Sequence, residues 1–158
     1  MNSTIFEEVS EKIGHAKGLY HRLVLVVGPA GTGKTAALRE VSERIDAPLV
    51  NTNLELSRQL LDLAERQRPR RTRSLLDQIV AGTASDVVLL DNTELLFDHS
   101  LHQDPLRLLQ GLSRNRTVAA AWNGSIEGGH LCYAEPGHPE HRRYPVDGTL
   151  VVCTRSVR

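Results

Sequence analysis

Leu23-Val24-Leu25-Val26-Val27-Gly28-Pro29-Ala30-Gly31-Thr32-Gly33-Lys34-Thr35 is the stretch on which the fold turns. Its first five residues form an unbroken apolar run of strand length and strand type. The next eight fit G-x-x-x-x-G-K-[ST], a phosphate-binding loop. Behind them Ala36, Ala37, Leu38, Val41 and Ile45 recur at helical spacing. Strand, loop, helix is the setting such a loop requires, and an ordinary glycine turn has no need of it. The glycines let the backbone turn tightly and aim successive N–H groups at an anion, and the following helix adds its positive end. ATP contacts are therefore expected from Gly28, Pro29, Ala30, Gly31, Thr32, Gly33, Lys34, Thr35 and Ala36. Lys34 would reach the β- and γ-phosphates, and the Thr35 hydroxyl would ligate Mg²⁺. The chain has 16 Arg to 3 Lys, and Lys34 is its only lysine after Lys17. A compact point charge on a flexible stem suits this place.

Working outward, the 158 residues fit one domain spanning 1–158 that buries roughly 70% of its unfolded surface. Formal net charge is zero, so no global pull towards nucleic acid or anionic membrane is expected. Two cysteines, Cys132 and Cys153, and no signal peptide point to a reduced cytoplasmic chain. No apolar run approaches the roughly 20 residues that span a bilayer.

Thr4 to Lys17 reads as an N-terminal helix within residues 1–18, with Ile5, Val9, Ile13 and Ala16 on one face. Pro48-Leu49-Val50 opens a second strand. Asn53 is expected to cap a helix over Leu54 to Arg66, which Pro69 breaks. Ser74 to Ala81 and Pro105 to Leu112 read as helices. Asp86-Val87-Val88-Leu89-Leu90-Asp91 is apolar throughout its middle, as a strand buried on both faces is. Thr117 to Trp122 and Thr149 to Thr154 supply the fourth and fifth strands. The Gly-, Pro- and His-rich stretch 124–148 reads as an irregular loop or a hairpin. Strands alternating with helices predict an α/β fold: three layers around a five-stranded, mainly parallel sheet.

Asp91, at the end of a buried strand, is expected to hold Mg²⁺ together with Thr35. Asn92 follows it, and Glu94 lies two residues further on. A sharp turn at the strand end would bring Glu94 to the nucleotide as general base; without one it caps a helix or faces solvent. Asn123 closes the fourth strand with an amide that both donates and accepts. The bland alternative is a turn residue in Asn123-Gly124. Arg114 and Arg116 precede that strand and are candidates to reach a neighbouring subunit's γ-phosphate; otherwise they are helix-end arginines. Arg66, Arg68, Arg70, Arg71 and Arg73 form the densest cationic run, a candidate DNA contact or a solvated loop. His130, Cys132, His138 and His141 lack the spacing of a standard zinc site.

Asp91 and Asn123 at neighbouring strand ends resemble the metal-side acid and the "sensor 1" residue of AAA+ and related additional-strand (ASCE) P-loop ATPases. In those proteins a glutamate follows the aspartate directly, where this chain has Asn92. No helical lid domain is expected after the fifth strand. A closer resemblance runs through Leu19-Tyr20-His21-Arg22-Leu23-Val24-Leu25, Leu54-Glu55-Leu56-Ser57-Arg58, Leu89-Leu90-Asp91-Asn92, Gln103 to Thr117, Ala121-Trp122-Asn123-Gly124 and Tyr133-Ala134-Glu135-Pro136-Gly137-His138-Pro139-Glu140. These segments resemble the BrxF family, small P-loop proteins of type 3 bacteriophage exclusion (BREX) systems. That resemblance implies a bacterial cytoplasmic ATPase-like component of anti-phage defence. It also implies company: a large ATPase, an adenine-specific DNA methyltransferase, a phosphatase-like protein and a helicase.

Two readings of function result. One is an ATPase, slow alone and completed by self-assembly or partners. The other, motivated by Asn92, is a nucleotide-dependent switch or scaffold that seldom cleaves ATP. A small-molecule kinase is disfavoured, since no acceptor site is evident after the loop.

Overall fold

The computed structural model describes residues 2–134, 137–146 and 148–154, with side chains from residue 5 onward. Helix α1 (Asn2–Ala16) leads into β1 (Leu23–Gly28) and, past the loop, α2 (Lys34–Ile45). Then follow β2 (Leu49–Asn51), α3 (Thr52–Leu60), α4 (Arg68–Ala81), β3 (Val87–Asp91), α5 (Pro105–Leu112) and β4 (Thr117–Glu127). Strands β5 (His130–Tyr133), β6 (Arg142–Pro145) and β7 (Leu150–Cys153) complete the order. Short 3₁₀ turns occupy Glu65–Gln67, Glu94–Phe97 and His99–Leu101.

Five strands run parallel in the order β2-β3-β4-β1-β7. Side chains alternate across a strand, and here the alternation sorts them between two cores. Leu23, Leu25 and Val27 of β1 join Val88 and Leu90 of β3 and Trp122 of β4 under α3, α4 and α5. Val24, Val26, Leu89, Ala119 and Ala121 face the other way, under α1 and α2. Both faces are thus covered, which is why these strands read as continuous apolar runs.

Strand β4 outlasts the parallel sheet. Its last parallel pair is Asn123 opposite Gly28. From Gly124 it pairs antiparallel with β5, and β5 with β6. Gly124 is required at this change of partner: a Cβ there would collide with the Cys132 carbonyl and press on the Trp122 indole. The stretch 124–148 therefore contains a β-hairpin, fastened by aromatic side chains. Tyr133 stacks on Phe97 at 3.6 Å between centroids, and Phe97 meets the Trp122 edge at 4.8 Å.

Three local expectations are corrected. Asn51, not Asn53, caps α3, its side chain accepting from the Leu54 N–H, and the helix ends at Leu60 rather than Arg66. Pro69 opens α4 instead of breaking a helix, because the first turn has no use for the N–H that proline lacks. Helix α1 begins at Asn2, which leaves Thr4 inside its first turn; the Thr4 side chain lies outside the described residues.

Candidate active site

The C-terminal ends of the parallel strands place Gly28, Asn51, Asp91, Asn123 and the residue after β7, Thr154, along one edge of the sheet. Ligands of open parallel sheets lie at that edge. The loop between β1 and α2 carries Gly31 and Gly33 at φ 79° and 94°, in the left-handed region that glycine enters freely. Pro29, Ala30, Gly31, Gly33, Thr35 and Ala36 are exposed, as a ligand-facing cradle must be. Lys34 is the exception, at 5% exposure. Its ammonium donates to the Gly28 and Pro29 carbonyls, each at 2.7 Å. Burial pulls the Lys34 pKa below its ordinary value, while the nearby Glu94 and Asp91 carboxylates oppose that shift.

Thr32 and Thr154 pin the loop from the far side. Their hydroxyls are 2.7 Å apart, and Thr32 Oγ1 also donates to the Pro29 carbonyl at 2.7 Å. The Thr154 N–H donates to the Val27 carbonyl at 2.9 Å. Gly28 must be glycine here, since a Cβ would strike the Thr154 hydroxyl.

Asp91 is buried, and its Oδ2 accepts from Thr35 Oγ1 at 2.7 Å. This hydroxyl–carboxylate pair beside the loop offers the hard oxygen ligands Mg²⁺ takes. The residues present therefore fit the ion, with Thr35 and Asp91 as its holders.

The turn after Asp91 delivers Glu94 to the same place. Asn92 adopts φ 51°, a left-handed conformation that asparagine tolerates. Its carbonyl accepts from the Asn53 N–H at 2.8 Å, and the buried Thr93 hydroxyl donates to the Ala121 carbonyl at 2.6 Å. So anchored, the chain reverses into the Glu94–Phe97 turn. Glu94 Oε1 accepts from Asn53 Nδ2 at 2.8 Å, and Oε2 accepts from Asn123 Nδ2. Asn53 Oδ1 meanwhile accepts from the Leu95 N–H at 2.8 Å. Lys34, Thr35, Asp91, Glu94 and Asn123 are thus brought together from α2, β3, the turn that follows β3, and β4.

Arg114 and Arg116 are not part of this group. They lie at the N-terminal end of β4, the opposite end of the sheet. The Arg114 guanidinium sits 4.7 Å over the Tyr20 ring, and Arg116 donates to the Val80 carbonyl at 3.1 Å. The run Arg66 to Arg73 is not a loop. Arg66 lies on the Glu65–Gln67 turn and the rest on α4, where Arg68 donates to the Leu60 and Leu63 carbonyls and Arg73 pairs with Asp77 at 3.4 Å.

Asn53, Thr93 and Thr154 are the site residues that sequence reasoning missed. A signal for two of them exists: Asn53 and Thr154 are polar residues just past the apolar runs of parallel strands, as Asp91 and Asn123 are. Thr93 carries no such mark, its bond to Ala121 being a product of the fold.

Comparison with known proteins adds to this geometry. The family model described as ATPase family associated with various cellular activities (AAA) matches residues 24–117, which take in the loop, Asp91 and Glu94 and stop short of Asn123. No curated protein matches the sequence. Among solved structures, PCH-2 of C. elegans is similar over 96% of this chain and 42% of its own, at 18% identity and a TM-score of 0.45. The chain thus spans less than half the length of that protein.

Proposed function

The chain belongs to the AAA family of ATPases, and from that premise we propose that it binds ATP with Mg²⁺ and hydrolyses it slowly to ADP and phosphate. One observation carries the reading: both oxygens of Glu94 are held by amides, from Asn53 and Asn123, beside the Lys34 ammonium. In this reading Lys34 leaves its two loop carbonyls for the β- and γ-phosphates. Thr35 and Asp91 would hold Mg²⁺, and the ion would supply charge neutralisation at the phosphate oxygens. A carboxylate has about four lone-pair positions, so Glu94 keeps acceptor capacity after binding two amides. It takes a proton from a water whose oxygen attacks the γ-phosphorus as the bond to the bridging oxygen breaks. Asn123 aligns that water and Glu94 together.

The test is phosphate release by purified protein over a range of protein concentrations, with Lys34→Ala as control. Turnover unaffected by Lys34→Ala contradicts the reading. Turnover per chain that rises with concentration supports completion of the site by a second copy, with Arg114 or Arg116 as the arginine offered across.

A second reading rests on Asn92. It stands directly after Asp91, and the first carboxylate beyond it, Glu94, lies three residues past the aspartate. That spacing favours a nucleotide-dependent switch that retains ATP. ATP recovered intact from the protein after prolonged incubation, partners present, selects this alternative.

On the sequence resemblance alone we further assign the chain to the BrxF-like components of a bacterial BREX anti-phage system, in the cytoplasm, alongside its large ATPase, methyltransferase and phosphatase-like protein. Among the described residues no helix is long and apolar enough to cross a membrane. Co-purification of the tagged chain with the products of its neighbouring genes tests the assignment.

A further inference from the structure

Two adjoining concavities lie on the face formed by the start of α4, the His99–Leu101 turn and strand β6. One, of about 570 Å³, is lined by Arg66 and Arg68; the other, of about 470 Å³, by Arg142 and Arg143 together with His99. His102 lines both and makes them one groove. The walls are built structure. Gln103 Nε2 donates to the Pro69 carbonyl at 2.9 Å and to the Leu101 carbonyl at 2.7 Å, joining α4 to the His99–Leu101 turn. The Tyr144 hydroxyl donates to Asp104 Oδ1 at 2.9 Å, joining β6 to the start of α5.

The charge of this groove is unbalanced. Its linings hold four arginines against two carboxylates, Glu65 and Asp104. Asp104 is already engaged by Tyr144 and by the Arg107 N–H that it caps. Among the described residues none of the four arginines forms an ion pair. In a chain of zero formal net charge this is a local concentration of cation.

We propose that this groove binds the phosphodiester backbone of nucleic acid. Guanidinium groups match phosphate oxygens two bonds at a time. A protein partner would need an apolar centre with buried anchors, but Pro69 is the one aliphatic residue in either lining. Nucleic-acid interfaces are polar and cationic, and the Tyr144 and histidine rings offer flat surfaces to unpaired bases. The arginine run of the sequence thus contributes only its first members, Arg66 and Arg68. The other half comes from Arg142 and Arg143, some 70 residues on in the chain.

Fluorescence anisotropy of a labelled single-stranded and a labelled duplex DNA, titrated at several salt concentrations, tests this. Four phosphate contacts give a log–log salt slope of roughly −3 to −4. Arg142→Ala with Arg143→Ala should remove about half of that slope and weaken binding at least ~10-fold at low salt. Arg142→Lys with Arg143→Lys should retain most of the slope, and Arg58→Ala, a charge loss elsewhere, should leave binding unchanged. Thermal melts confirm that each variant folds. No binding at low salt overturns the proposal, as does binding indifferent to the alanine pair. Poly-glutamate binding as tightly as DNA also overturns it and marks an acidic-protein surface. Lys34→Ala separates the groove from the nucleotide reading: DNA binding without ATP survives it.

Discussion

Glu94 begins the turn after β3 and Asn123 lies within β4, yet the Asn123 amide donates directly to the Glu94 carboxylate. The bond joins the turn after β3 to the point where β4 leaves the parallel sheet for its hairpin. Asn123→Ala should therefore slow ATP hydrolysis ~10-fold or more, since a misplaced general base forfeits part of its 10²–10⁴-fold contribution. ATP affinity, measured by calorimetry, should stay within about threefold, because the loop donors and Lys34 are untouched.

Asn53 holds the other oxygen of Glu94 and also accepts from Leu95. Asn53→Asp keeps the acceptor for Leu95 and replaces the donor with a second carboxylate. The new carboxylate repels that of Glu94 and no longer donates to it, so the base is misplaced and turnover should fall ~10-fold or more. Phosphate release checks this, and unchanged melting temperature separates the effect from unfolding.

Lys34 is buried as a cation, and that burial lowers its pKa. The unfolded chain then binds the proton more tightly than the folded one between the lowered pKa and the ordinary 10.5. Stability from this residue accordingly rises with pH across that window and is lowest below it. Lys34→Met should melt higher than the native chain at pH 7, by about 2–4 °C for each ~1 kcal/mol. The gap should narrow as pH approaches 10. ATP should raise the melting temperature of the native chain and leave that of Lys34→Met unchanged.

Gly124→Ala should cost about 1–3 kcal/mol, the range for overpacking a close approach, because its Cβ meets the Cys132 carbonyl and the Trp122 ring. Tyr133 stacks on Phe97, the last residue of the turn that Glu94 begins. A strained hairpin should therefore also lower turnover. Denaturant melts and phosphate release on the same variant check both.

The parallel sheet was legible because strands covered on both faces must be apolar throughout, as Leu23–Val27 and Val87–Leu90 are. The loop was legible because tight turning and phosphate binding restrict residue types at fixed spacing. The position of Glu94 was not. It depends on Asn92 entering the left-handed region and on Thr93 reaching the Ala121 carbonyl, contacts between segments nearly 30 residues apart. Asn51 and Asn53 are equally good caps by type, and only the register of β2 against β3, with Asn51 opposite Asp91, decides between them. For 124–148 the choice between a hairpin and an irregular loop stayed open, because short edge strands such as Arg142–Pro145 are polar and carry no alternation strong enough to read.

The central claim is that Glu94, three residues beyond Asp91, serves as the base of an ATP-hydrolysing site. Single-turnover cleavage of radiolabelled ATP by the native chain and by Glu94→Gln, at saturating protein, tests it most directly. The account predicts that Glu94→Gln binds ATP with unchanged affinity and cleaves it ~10²-fold or more slowly. Equal cleavage rates in the two proteins would contradict it.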